Sequence, residues 1–177
     1  MPAMTMEERL GEMGRQIDEL AAKASTASGE AKSHIERQIV ALREQEASTR
    51  AAAQRAADGL EEKFEQFEAR LRVAQSSAAA DLAGNRQVFA DAVDDELHKW
   101  DAYFERLQAQ AALRAATTRD HAEVAISELR RRRNEIAAHL DDVRTASAEG
   151  WDEQKQRFAA ARAELERKAD ELSAQFK

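Results

Sequence analysis

Apolar side chains recur at intervals of three and four residues along almost the whole chain. No other feature constrains the fold as strongly. The series runs Leu10, Met13, Ile17, Leu20 and Ala24, then Ala31, Ile35, Ile39 and Leu42. It passes through Thr49, Ala53 and Ala56 to Leu60, Phe64, Phe67, Leu71, Ala74 and Ala78. A second series holds Phe89, Val93, Leu97, Trp100, Phe104, Leu107 and Ala111, then Ala122, Ile126, Leu129, Arg133, Ile136, Leu140 and Val143. It closes on Trp151, Phe158, Ala161, Leu165, Leu172 and Phe176. Such spacing puts the apolar groups on one stripe of a helix, as in an a/d seam. Alternating Val/Ile/Thr runs that would indicate strands are absent. The sole proline is Pro2, so the body lacks the residue that interrupts helices by removing an N–H and clashing with the preceding turn. The pattern predicts an all-α protein.

Breaks in the pattern set the predicted topology. Thr5-Met6-Glu7-Glu8 fits a capping box that opens the first helix. Ala83-Gly84-Asn85 is the strongest stop, because Gly and Asn tolerate the left-handed conformation that ends helices. Two steps of four at Ala56, Leu60 and Phe64 read as a stutter in a continuous helix. Ser25-Thr26-Ala27-Ser28-Gly29 is weaker helix material, with Ser33-His34-Ile35-Glu36 able to cap a new helix after it. Thr117-Thr118-Arg119-Asp120 is a milder site of the same kind. Gly150 reads as a residue tolerated inside a helix at a cost of about 1 kcal/mol.

The architecture expected from this is an elongated antiparallel coiled-coil hairpin. Two very long helices turn near Gly84-Asn85 and make a rod of about 110–130 Å. Its pairing sets Phe64 near Phe104, Leu71 near Leu97, Leu42 near Ile126 and Leu10 near Phe158. The alternative has four unequal helices, as a bundle or two linked hairpins. Either way, residues 1–177 read as a single elongated helical domain. A shift of 87 residues, from Leu10 to Leu97, also aligns Leu20 with Leu107, His34 with His121, Ile39 with Ile126, Leu42 with Leu129 and Phe64 with Trp151. Two readings remain open: a tandem duplication, about 5–83 and 86–177, or a match of heptad phase alone.

Composition narrows the function classes. The apolar fraction is 43%, but much of it is alanine, and six Phe, two Trp and one Tyr suit a thin seam better than a broad core. The net charge of −7 argues against nucleic acid, which requires many phosphate contacts. No cysteine is present, which excludes disulfides and thiolate metal sites. The N-terminal residues lack a basic stretch followed by an apolar one, so no signal peptide is expected. No window approaches the length of apolar sequence needed for a membrane span.

Chemistry-bearing patterns are sparse. Asp94, Asp95, His98 and Asp101 share one helix, but a di-metal site needs a Glu-x-x-His pair on each of two helices. They read as a solvated face, and no metal or other cofactor is expected. Arg130-Arg131-Arg132-Arg133 points in four directions around a helix, with Glu128 and Glu135 beside it. Arg133 falls on the seam, where a polar group can fix register, and the hairpin pairing offers it Glu36 as a salt-bridge partner. Trp100 and Trp151 fall on the apolar face. No phosphate loop, nucleophile elbow or zinc spacing occurs, so no catalytic residue is assigned and no enzyme is expected. The residues assigned to interaction are Trp100, Arg133, Trp151 and Phe158.

The segment Ser147-Ala148-Glu149-Gly150-Trp151-Asp152-Glu153-Gln154-Lys155-Gln156-Arg157-Phe158, with Ala161 and Leu165, resembles the C-terminal stretch of small bacterial coiled-coil stress-response proteins, which often also match the apolipoprotein A/E helix family. Ile17-Asp18-Glu19-Leu20-Ala21-Ala22-Lys23-Ala24 is similar to the opening helix of the same group. The chain departs from that pattern at Glu68 and in its length. The resemblance implies a cytoplasmic, all-helical protein associated with stress, and it carries over no catalytic residue. The expected function is non-enzymatic helix–helix association, with a second copy (as a homodimer) or another helical protein as partner. The alternative is a lipid- or granule-surface protein of the apolipoprotein-like or phasin-like kind, whose helices lie on an interface.

Overall fold

The computed structural model describes residues 3–147 and 150–176. Pro2 and the Ala148-Glu149 part of the resembling segment lie outside the described residues. Among the described residues every regular element is a helix, as the spacing predicts, and there are six: α1 (Met6–Thr26), α2 (Gly29–Gln54), α3 (Leu60–Asp81), α4 (Arg86–Ala112), α5 (Ala116–Thr145) and α6 (Trp151–Ala174). The two-helix hairpin is therefore incorrect, and so is the four-helix alternative. The longest helix, α5, has 30 residues and spans about 45 Å, far short of the expected rod.

The helix ends explain the difference. Thr5 opens α1 with the predicted capping box: its hydroxyl accepts from the Glu8 N–H, and the Glu8 carboxylate accepts from the Thr5 N–H. The Ser/Thr-rich stretch is a real turn between α1 and α2. However, α2 starts at Gly29, which has φ +60°, and Ser33 lies inside it. The stutter at Ala56 is also a turn. Ala56 has φ +49°, its N–H donates to the Ala53 carbonyl, and the Ala57 N–H donates to the Ala52 carbonyl. This is a Schellman end with alanine in the position that favours glycine. Gly59, at φ +76°, completes the reversal.

The turn at Gly84-Asn85 forms by another route than expected. Neither residue is left-handed; Asn85 is extended, and its side chain caps α4 by accepting from the Val88 N–H. The break near Thr117 falls earlier, with Thr117–Asp120 inside the first turns of α5. Gly150 immediately precedes α6 instead of lying within a helix.

Consecutive helices run antiparallel. Arg43 pairs with Asp18 between α1 and α2, Gln38 with Ser77 between α2 and α3, and Ser76 with Asp95 and Glu65 with Arg106 between α3 and α4. Two apolar clusters result, with α3 between them. Phe64, Phe67, Leu71, Ala74 and Ala78 of α3 pack on Leu10, Ile17 and Leu20 of α1 and on Ile35 and Leu42 of α2. Ala69, Val73 and Ala80, on another face of α3, join the cluster of α4, α5 and α6. The pairing of Phe64 with Phe104, Leu71 with Leu97, Leu42 with Ile126 and Leu10 with Phe158 is accordingly wrong, since each pair is divided between the clusters. Direction and turn were right for α3 and α4. The heptad stripe of α3 faces α1 and α2, and the small residues between face α4.

At Ala56 the left-handed backbone places Cβ against the following carbonyl. Ala56→Gly is expected to raise stability by about 1 kcal/mol, after allowing for the added freedom of glycine in the unfolded chain. Urea denaturation of the two proteins measures this, and the midpoint should rise without a change in slope.

Candidate functional site: a buried ionic seam

Between α2, α3, α4 and α6 lies a layer of charged side chains at the depth of an apolar core. Arg162 is 2% exposed and Arg70 fully buried, with Glu96 at 2%, Glu166 at 7% and His34 at 8%. An isolated charge at such depth would cost several kcal/mol, so the arrangement requires partners.

Arg162 of α6 has them on two helices. Its Nε donates to Glu96 Oε2 of α4 at 2.8 Å. Its Nη1 donates to Asp81 Oδ1 of α3 at 3.1 Å, and its Nη2 donates to the Ser77 hydroxyl at 2.8 Å and the Ser77 carbonyl at 3.0 Å. Trp100 of α4 adds a donor to the other oxygen of Glu96, at 3.2 Å. One turn further along α6, Glu166 Oε2 accepts from the Gln38 amide at 2.6 Å and lies 2.7 Å from His34 Nε2. The other His34 ring nitrogen lies 2.5 Å from Asp81 Oδ2. Asp170 then receives Arg70 in a two-pronged contact, Nε at 2.9 Å and Nη2 at 3.2 Å, and the Arg70 guanidinium lies over the Trp100 ring at 5.5 Å. Gln66 donates to the Ser173 hydroxyl at 2.6 Å. Arg162, Glu166, Asp170 and Ser173 recur at helical spacing, so α6 carries a polar stripe beside its apolar one.

Burial and pairing act against each other on these groups. For Arg162 burial disfavours the charge, but Glu96 and Asp81 outweigh it and hold the guanidinium more firmly protonated than usual. Arg70 follows the same pattern with Asp170 and Glu166. Asp81 is buried, yet the His34 hydrogen bond and the Arg162 charge keep its carboxyl below the ordinary range. For Glu96 burial prevails over Arg162 and Trp100 and pushes the carboxyl up. The layer is a set of mutually compensating charges.

The residues assigned to interaction do not form one surface. Trp100 is core, stacked on Phe104 at 5.7 Å and against Tyr103. Arg133 pairs with Asp101 at 2.8 Å rather than with Glu36, because α5 packs on α4 and not on α2. Trp151 and Phe158 share one neighbour, each packing edge-on against Phe89 of α4, at 5.0 and 5.9 Å. Asp94, Asp95, His98 and Asp101 are separately engaged: the Asp94 carbonyl with His98, Asp95 with Ser76, and Asp101 with Arg133. No group of three or more potential metal ligands is present among the described residues. Glu128, set between Arg131 and Arg132, is drawn down to about 2 by those arginines.

Arg162→Met leaves Glu96 buried without its counter-charge. A loss of about 3–5 kcal/mol is expected, measured by urea denaturation. Adding Glu96→Leu to that variant removes the orphaned carboxylate and should recover part of the loss. The double variant should therefore be more stable than Arg162→Met alone.

No protein family matches the chain, and no curated protein or solved structure is similar to it.

Proposed function

We propose that this chain is a non-enzymatic interaction protein that works by helix–helix association. The observation that carries the reading is the engagement of the buried charged groups. His34, Arg70, Glu96, Arg162 and Glu166 each bind another side chain of the protein and together tie four helices. Groups held in that way set the geometry of a bundle. A general base or nucleophile would instead present an atom to a substrate.

The six helices cover much of one another's apolar stripe, so the bundle has less need of a second copy than a two-helix rod would. The proposed partner, another copy or a different helical protein, would dock between α5 and α6. A groove of about 580 Å³ opens there over Ile136, Phe158 and Ala161, between Arg132, His139 and Arg157. The resemblance adds a stress-associated, cytoplasmic setting to this reading.

The two halves also invite the duplication reading. The 87-residue offset carries Gly29, the first residue of α2, onto Ala116, the first of α5, although α4 begins earlier and α6 later than it requires. The ionic seam does not repeat: His34 is buried and its counterpart His121 is exposed.

A second reading, binding at a lipid surface, draws support from the polar stripe of α6. A helix docked partly through polar contacts leaves a solvated face when it swings away, and its apolar face can then lie on an interface. No helix among the described residues is long and apolar enough to cross a membrane.

Sedimentation velocity over a wide concentration range and flotation with anionic vesicles separate the two. Self-association without flotation is expected. Flotation that removes the protein from the aqueous fraction would transfer the function to lipid.

A further inference from the structure

His34 occupies an unusual position even within the seam. It projects from the N-terminal half of α2 and faces a carboxylate at each ring nitrogen, Asp81 on α3 at 2.5 Å and Glu166 on α6 at 2.7 Å. A neutral imidazole has one N–H and one lone pair. With both carboxylates ionised, only the doubly protonated ring can donate to both. Beside it, α2 and α6 diverge and leave a groove of about 1120 Å³ that reaches His34, Asp81 and Arg162. Solvent protons therefore have a route to the ring.

We propose that His34 is a proton-operated latch: protonated, it closes α2 onto α6 across α3, and on losing its proton it releases them and widens the groove between the two helices.

The charged groups around the ring act together in this. From α3 it faces Asp81. From α6 it faces Glu166, with Arg162 beyond Asp81 and Lys155 and Asp152 on the groove wall. From its own helix, Glu30 and Arg37 flank the groove mouth. Glu96 of α4 reaches it only through Arg162, and Arg70 of α3 lies 3.7 Å from the other oxygen of Glu166. Arg162 and Arg70 compensate Asp81 and Glu166 in part. When His34 is neutral, a ring lone pair faces Asp81 or Glu166 and that contact turns repulsive, which leaves the uncharged Gln38 amide, 3.3 Å from His34 Nε2 and 2.6 Å from Glu166, as a remaining tie from α2 to α6.

Burial alone would lower the proton affinity of the ring, but hydrogen bonds and charge from Asp81 and Glu166 raise it from 6.5 to about 9. A histidine whose pKa is raised by a folded contact holds that contact fully below its ordinary value and loses it as pH rises through the folded one. The latch is closed below pH 6.5, weakens above it and is open beyond about 9. Across that window the ratio of closed to open molecules falls on the order of a hundredfold, if the ring regains its ordinary affinity when released. Lysines titrate higher still, so the window below pH 10 is largely free of them.

The absence of cysteine makes the test direct. Ser33→Cys and Gln156→Cys stand on opposite walls of the groove and accept a donor and an acceptor dye. Transfer efficiency should fall as pH rises from 6.5 to 9.5, with a midpoint between the ordinary histidine value and 9, while helix content by circular dichroism stays constant. The same labelled protein carrying His34→Gln, which cannot titrate, should show no such step. NMR titration of the His34 ring in the unlabelled protein should give a midpoint above 6.5 that coincides with the transfer step. A flat transfer profile in the parent, an equal step in His34→Gln, loss of helix content over the same range, or a ring midpoint at or below 6.5 would each overturn the latch.

Discussion

A guanidinium with almost no access to water is the constraint on which the rest of this bundle depends. Arg162 is tolerable where it lies only if Glu96 and Asp81 arrive with it, and those residues sit on α4 and α3. Once α6 is placed by that requirement, Glu166 meets His34 and Gln38 of α2, and Asp170 meets Arg70. Apolar packing between Ala-rich helices leaves register loosely defined, because a slide by one heptad buries similar area. The seam removes that freedom, since a slide would leave several buried charges without partners.

Such a layer gives specificity more readily than stability. Burying an ion pair often gains nothing over apolar side chains of the same shape, while losing one member of the pair is costly. The two apolar clusters hold the bulk of the bundle, and the charged layer determines where α2 and α6 settle on the α3–α4 pair. This division suits a protein whose surfaces must be presented in a defined arrangement. It also suits one whose outer helices can be released without melting the rest.

The helical class was legible because the three-and-four spacing is a direct consequence of burying one side of a helix. So were the turn before Asn85 and the capping box at Thr5, which rest on local chemistry. The turn at Ala56 was not, because an alanine in left-handed geometry leaves no compositional mark. The Asp58-Gly59 pair just after it was the available signal. Heptad continuity across that turn made two helices read as one, and the same continuity carried α5 into α6. The seam was missed for a related reason. A search for apolar recurrence passes over Arg162, Glu166, Asp170 and Ser173, although their own spacing of four, four and three marks a second face. His34 could not be separated from His121 without knowing which of the two faces another helix.

The guanidinium groups of Arg70 and Arg162 are locked in the interior. Nitrogen-15 correlation spectra at slightly alkaline pH test this most directly, because Nε–H protons of solvated arginines exchange with water too fast to be seen there. Slowly exchanging Nε–H signals are expected, and they should vanish individually in Arg70→Lys and Arg162→Lys. Spectra in which both arginines exchange as fast as exposed ones would contradict that placement.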